Sequence, residues 1–374
     1  MTEDAAELDA LRNSIRRVLT EHASRERVQR FVKSSDLYDK ALWDEAVNLG
    51  WLALSVPEDN GGLGLGMNGA ALLYEELGRS LAPVPVLGTL LVAEEVAAAG
   101  TAAQKAAWLP DLASGAAPAS LEVIDPKRRA PSVRLRRRPD GALVLSGYAR
   151  DLLDGAAASV LLLTVQGEDG ALYLVLVRPR EDAVTVQAEA LVDRTRHLAH
   201  AHFDDLVLPA DRQLGEVPLR AGLSDELLGH AALALACDGL GLADAVLTLT
   251  VEYLKTRVQF GKPIGSFQAL KHRCANHKVA LESVRAMTYE AVRHWAEGRG
   301  DAAARSSLAK AHACDMATVI ATDAVQLHGG IGFTWEHSCH LFLKRAKLNE
   351  ALFGTRAAHE DRAAALLLDP SAAA

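Results

Sequence analysis

Apolar residues recur at helical spacing through the first third of the chain. Between Ala5 and Ala23 they fall at Leu8, Leu11, Ile15, Val18 and Leu19, one face of an amphipathic helix. Tyr38 to Gly50 reads as a second helix, stopped by Gly50. Trp51 to Gly66 (WLALSVPEDNGGLGLG) breaks the period with a proline and several glycines and reads as a loop. Further helices are predicted over Asn68 to Gly78, Val86 to Ala99 and Thr101 to Ala113.

Near Ser120 the pattern changes. Val133 to Leu135, Leu143 to Ser146, Ser159 to Val165, Leu172 to Val177 and Val184 to Gln187 are short, rich in Val and Leu, and separated by Pro, Gly and Asp. That pattern predicts antiparallel strands in a small sandwich or barrel. His200 to Gly215 adds one more strand. From about Ala221 the helical period returns, over Asp225 to Arg257, Gly265 to Glu297, Ala302 to Leu327, His337 to Leu352 and Arg356 to Leu367. The expected fold is α+β in three parts: an N-terminal helical domain over 1–118, a central antiparallel β-domain over 119–218, and a C-terminal helical domain over 219–374.

Composition supports the helical reading, because Ala and Leu, both strong helix formers, dominate. A net charge of −8 argues against a nucleic-acid partner. The one basic run, Lys127 to Arg138, is interrupted by Pro, Ser and Val and reads as a solvated loop and strand edge. Cys237, Cys274, Cys314 and Cys339 form no CxxC pair, so buried free thiols in a reducing compartment are expected. No His or Cys cluster has metal-ligand spacing. The charged N-terminus lacks the apolar core of a signal peptide, and no uninterrupted apolar run of about 18 residues predicts a membrane span. A soluble, cytoplasmic protein is expected.

Four segments then carry a resemblance. They are GWLALSVPEDNGGLG (Gly50 to Gly64) followed by YEELGR (Tyr74 to Arg79), DRTRHLAHAHFDDLVLPADRQLG (Asp193 to Gly215), YLKTRVQFGKPIGSFQALKH (Tyr253 to His272) and QLHGGIGFTWEH (Gln326 to His337). In this order, on a helical–β–helical layout, they resemble the acyl-CoA dehydrogenase family over almost the whole chain. The resemblance implies that family's fold, with a four-helix bundle as the C-terminal domain. It also implies an FAD site at a subunit interface and an acyl-CoA thioester substrate that undergoes α,β-dehydrogenation. Electron-transfer flavoprotein is the implied acceptor.

By residue type alone, Arg257 can grip a phosphate in its guanidinium fork or close a surface salt bridge with Glu252 or Asp244. The resemblance gives Arg257 to the FAD pyrophosphate and carries over Gln259, Phe260 and Gln268 as further contacts. It likewise gives Gln326, Gly329 and Gly330 to the adenine side. In homo-oligomers of the family these positions serve the neighbouring subunit's FAD. His328 is expected to pack or hydrogen-bond, and Phe333 and Trp335 to lie in the core.

The sequence departs from the family on the other side of the cofactor. The base that removes the substrate α-proton is a Glu before a Gly-Thr pair. Here the pair is Gly354-Thr355 and the preceding residue is Phe353, which cannot accept a proton. Thr355 is kept, but Ala357 replaces the Gln two residues on. The Thr-Glu-Pro…Gly-Ser-Asp segment that cradles the flavin is reduced to SLEVIDPKRRAPS (Ser120 to Ser132), with Glu122 and Pro126 as relics. SGYARDLLDGAAA (Ser146 to Ala158) has Ala149 at the Lys position of the next element and no Trp or Phe after it. An alternative Glu position on the first C-terminal helix falls at Ala231, with His230, Glu226 and Asp225 as neighbours, and Glu350 stands one turn before Phe353. The losses fall on one side of the cofactor and the retained residues on the other. The expectation is a subunit without its own catalytic Glu, in a heterotetramer with a paralogous acyl-CoA dehydrogenase subunit, of the kind known for steroid side-chain CoA thioesters. A homomeric flavoenzyme with a displaced base and a scaffold that has lost FAD are the alternatives.

Overall fold

The computed structural model describes residues 3–124, 130–215 and 223–368. Six helices come first: α1 (Glu3–His22), α2 (Arg25–Phe31), α3 (Lys40–Asn48), α4 (Gly66–Ser80), α5 (Val86–Ala99) and α6 (Ala102–Ala113). The strands follow: β1 (Ala119–Leu121), β2 (Val133–Arg137), β3 (Leu143–Leu153), β4 (Val160–Gly167), β5 (Leu172–Val177), β6 (Val186–Ala188), β7 (Leu198–Leu208) and β8 (Gln213–Leu214). The remainder is α7 (Leu223–Thr256), the strand pair β9 (Val258–Gln259) and β10 (Lys262–Pro263), α8 (Gln268–Ala296), α9 (Ala302–His328), α10 (Cys339–Ala351) and α11 (Arg356–Leu368). Each predicted helix is present, and α2 is an addition. α7 is long and apolar enough by composition to cross a membrane, which the sequence reading did not anticipate; 83% of that stretch is buried within the protein.

Contacts divide the chain into two compact units built from discontinuous segments. The second unit holds residues 36–70, 83–231 and the C-terminal tail from 368. Local signals set its helices. Asp39 caps α3 by accepting the Leu42 N–H (3.0 Å), and Thr101 and Gln104 close a reciprocal capping box on α6. The sheet runs β6-β7-β3-β2-β4-β5-β8, with β1 beside β4. It is mixed rather than purely antiparallel, because β4 takes both β1 and β2 in parallel. In β2 the apolar Val133 and Leu135 face the core while Arg134 and Arg136 face water, the alternation a half-buried strand needs. The described part of the basic run thus has its arginines on a solvated face, but β2 lies between β3 and β4 and is not the strand edge that was expected.

Two strand predictions are corrected. β3 runs on to Leu153 instead of ending at Ser146, bent by bulges around Gly147 and Asp151. A side chain at Gly147 would strike the Ser132 carbonyl. The exit segment folds as β7 and β8 rather than one strand. Glu122 is buried and accepts the Arg150 N–H (3.2 Å); Pro126 lies outside the described residues.

The first unit joins residues 1–35 and 71–82 to 232–367. YEELGR lies on α4 and has a structural task. The buried Glu75 carboxylate accepts from Arg285 (2.7 Å), Arg12 (3.3 Å) and Tyr289, and Glu76 accepts from Arg16 (2.6 Å). Burial raises the Glu75 carboxyl, yet the Tyr289 hydrogen bond and the Arg12 and Arg285 charges outweigh it and hold the group below its ordinary value. Helices α4 and α7 touch backbone to backbone. A Cβ at Gly78 would strike the Asp238 carbonyl, and one at Gly241 the Glu75 carbonyl. On the far side of α7, Asp238 is held by Asn349 (2.5 Å) and Arg345 (3.3 Å) from α10.

Candidate functional site

The matched residues collect at one end of the first unit. α7 stops at Thr256, and β9 and β10 form a tight hairpin through Phe260 (φ 55°) and Gly261 (φ 78°), both left-handed. Left-handed backbone at both turn residues matches the twist of a two-residue hairpin. Tyr253, one turn before Arg257, stacks on His328 (4.4 Å between ring centres) and donates to its carbonyl (3.3 Å). That contact ties the hairpin to the end of α9, which carries Gln326, and to the turn after it, where Gly329 and Gly330 lie.

Arg257 closes no ion pair among the described residues. Glu252 is taken by Lys255 (2.6 Å), and Asp244 by Arg79 (2.7 Å), so neither potential partner named from sequence holds it. Gln259, Gln268 and Gln326 are exposed, and Phe260 is 89% exposed. Gly330 is informative. Its backbone does not call for glycine and a Cβ would meet nothing within 4 Å, so no group of this chain explains the residue. Phe333 and Trp335 are 67% and 50% exposed, which corrects the expectation that they lie in the core. They sit on the turn surface, where Trp335 packs against the His340 ring (4.9 Å) and the Lys344 ammonium (4.6 Å). An uncommitted guanidinium, three exposed amides, open glycines and bare aromatic rings form a donor set that fits a pyrophosphate joined to a flat ring system.

Beside this end, the fold brings His328, His337 and Cys339 together, with candidate ligand atoms within 4.8 Å of one another. Proton placement speaks against a metal. His328 donates through Nδ1 to the Ala324 carbonyl (2.8 Å), while the Nδ1 lone pair of His337 accepts the Cys339 N–H (3.2 Å). Burial pushes the Cys339 thiol up to about 12, so it stays protonated. One free imidazole lone pair remains, consistent with the expected packing role of His328.

The segment where the family keeps its base is tightly held. Phe353 is half-buried and left-handed (φ 57°). Its carbonyl accepts from His359 Nε2 (3.1 Å). The buried Lys310 ammonium donates to the carbonyls of Glu350 (2.9 Å) and Gly354, closing the end of α10. Thr355 is exposed and caps α11, accepting the Ala358 N–H (3.4 Å). Glu350 is engaged by Thr318 (3.0 Å) and Lys347 (2.9 Å). Burial raises its carboxyl, but the Lys347 and Thr318 hydrogen bonds outweigh this and hold it below the ordinary range. It is an ionised carboxylate whose Oε2 is held by both Thr318 and Lys347. Ala149 and Ala231 are fully buried and offer no polar group, and Ala357 is exposed on α11.

Sequence reasoning passed over the second unit's unusual residues. Glu94 and Glu95 on α5 face His230 on α7, at 3.5 and 4.0 Å. The signal was present as two adjacent acids inside the apolar run LLVAEEVAAA, but the segment was read only as a helix.

With this geometry in view, comparison with known proteins identifies the family. The N-terminal domain of acyl-CoA dehydrogenases matches residues 5–116 and the C-terminal domain residues 222–368. The chain belongs to the acyl-CoA dehydrogenase family, whose members bind FAD. It is 33% identical over 350 residues to the acyl-CoA dehydrogenase IpdE2 of Mycolicibacterium smegmatis, covering 93% of this chain and 94% of the relative. Among solved structures it is similar to a variant of the Tcur3481-Tcur3483 steroid ACAD (29% identity, TM-score 0.89, 98% of this chain and 99% of that one). It is also similar to butyryl-CoA dehydrogenase from Megasphaera elsdenii (25% identity, TM-score 0.87, 96% and 98%).

Proposed function

We propose that this chain is the subunit without a catalytic base in a heterotetrameric, FAD-dependent acyl-CoA dehydrogenase. In this reading a paralogous subunit supplies the Glu, and this chain lends one half of the partner's FAD site. One contrast carries the proposal. The cross-subunit contact set is present and uncommitted around Arg257, while the base position is occupied by Phe353 and locked by Lys310 and His359. The likeness to the Tcur3481-Tcur3483 steroid ACAD supports the heteromeric form and a steroid-derived CoA thioester as the substrate class.

Each retained residue has a task in this reading. The Arg257 fork holds the pyrophosphate. Gln259, Gln268 and Gln326 hydrogen-bond the polar edges, Gly329 and Gly330 admit close backbone approach, and Phe260 covers the ring surface. When bound, FAD supplies the hydride acceptor for α,β-dehydrogenation, with electron-transfer flavoprotein as the onward acceptor. The Phe353 phenyl neither holds nor moves a proton. The α-proton is therefore taken by the partner's carboxylate, and the thioester carbonyl must find its hydrogen-bond donors there to stabilise the developing enolate.

Co-expression with a paralogue that carries Glu before Gly-Thr tests this directly. The expected product is a stable complex with flavin in proportion to the heterodimer, and turnover that depends on the partner's Glu. A yellow, fully active homotetramer of this chain alone would sink the proposal.

A further inference from the structure

Helix α5 is apolar except at Thr89, whose hydroxyl is bonded to backbone, and at Glu94 and Glu95. Both side chains are inside the second unit, 9% and 3% exposed. Among the described residues, neither oxygen of Glu94 nor Oε2 of Glu95 has a well-formed hydrogen bond. His230 comes from the first turns of α7, its Nδ1 lying 3.5 Å from Glu94 Oε2 and 4.0 Å from Glu95 Oε1. Two other groups face them. Glu226, one turn earlier on α7, adds negative charge near Glu95, and the Ser55 hydroxyl stands against Glu94. No Lys or Arg closes an ion pair with either acid among the described residues. Two adjacent carboxylates cannot stay ionised in such a place without water or a cation.

We propose that Glu94, Glu95 and His230 form a proton-held latch between α5 and the first turns of α7, closed while both carboxyls are protonated and released when they ionise. A protonated carboxyl is neutral and has a hydrogen to offer the imidazole; an ionised pair repels itself and draws water between the helices. Burial drives the acids toward the neutral form, raising Glu94 to about 7 and, with the charges of Glu94 and Glu226 added, Glu95 to about 8. Burial also lowers His230 to about 3, so it stays neutral and able to accept. The signs follow from linkage. The folded protein keeps carboxyl protons that the unfolded chain loses near 4.5, so closure weakens as pH rises through 7 and 8. His230 acts in the opposite sense, but only below its ordinary value of 6.5. Above that pH the carboxyls alone set the slope. The latch does not depend on the flavin reading and stands or falls separately from it.

Amide hydrogen exchange across α5 in the full-length chain, corrected for the intrinsic pH dependence of exchange, is the test. From pH 6.5 the opening equilibrium should rise by up to about tenfold per pH unit for each carboxyl still protonated in the closed state, levelling off above about 7 for Glu94 and above about 8 for Glu95. In the double variant E94Q/E95Q it should stay level. A wild-type profile as flat as the variant's overturns the latch. Infrared spectroscopy of the wild-type protein provides a second reading that needs no variant. A carboxylic acid C=O band should be present at pH 6.5 and vanish above pH 8. Its absence at the lower pH would mean both groups are already ionised, and the proposal fails.

Discussion

The two ends of α7 treat polar groups in opposite ways. At the first turns His230 faces two carboxyls that are buried and short of hydrogen-bond donors. Just past the last turn Arg257 stands in the open, paired with no carboxylate among the described residues. Between them Asp238 is buried like the first group but is met by Arg345 and Asn349. An unmet polar group is costly inside a protein and nearly free at its surface, where water serves it. The buried acids are therefore anomalous by themselves. Arg257 becomes informative only beside the unexplained Gly330 and the bare Phe260 ring.

The largest expected effect is at the satisfied middle of the helix. Asp238→Ala removes the buried carboxylate that Arg345 and Asn349 bond and should cost about 3–5 kcal/mol, read as a fall in urea midpoint. A loss no larger than ordinary surface substitutions give would show that the Asp238 carboxylate is not needed there and would blur the contrast with the carboxyl end. At the open end, Arg257→Ala in the assembled complex should weaken flavin retention by about 10- to 100-fold, the worth of a charge-assisted hydrogen bond. Fold stability should move by no more than about 0.5 kcal/mol. Unchanged flavin content would leave Arg257 as an ordinary surface charge.

At the carboxyl end, Glu95→Gln removes a group whose protonated form the fold prefers. Between pH about 6.5 and about 8 the wild-type protein should lose on the order of 2 kcal/mol more stability than this variant. Equal slopes would mean that Glu95 is solvated after all. The smallest expected effect is from Glu350→Gln. Its carboxylate is committed to Lys347 and Thr318, so turnover of the complex should not change. Abolished turnover would revive the displaced-base alternative.

Much of this was legible in order along the chain. Helical spacing located helices such as α3, which buries Leu42, Trp43 and Ala46 on one face. GKPIG (Gly261 to Gly265) marks a turn, though not a hairpin, and the matched FAD positions lie within short contiguous segments. Three matters were not legible. β3 continues past its bulges because it pairs with β7 across a long sequence gap, which no local pattern encodes. Phe333 and Trp335 were expected inside because aromatic residues usually are. The sheet's parallel pairings depend on which strands meet, which alternation cannot specify.

The sequence by itself determined the family, the helical–β–helical order and the absence of a base at Phe353. These rest on residue identity and short spacing, which survive without coordinates. Only the tertiary structure decided that Arg257 is uncommitted, that Glu350 is spoken for by its neighbours, and that His230 meets two buried acids. Each of those is a question of which distant side chains share a few ångströms of space and how much water reaches them. Charge, protonation and hydrogen-bond supply follow from that proximity, and it exists only once the chain has closed on itself.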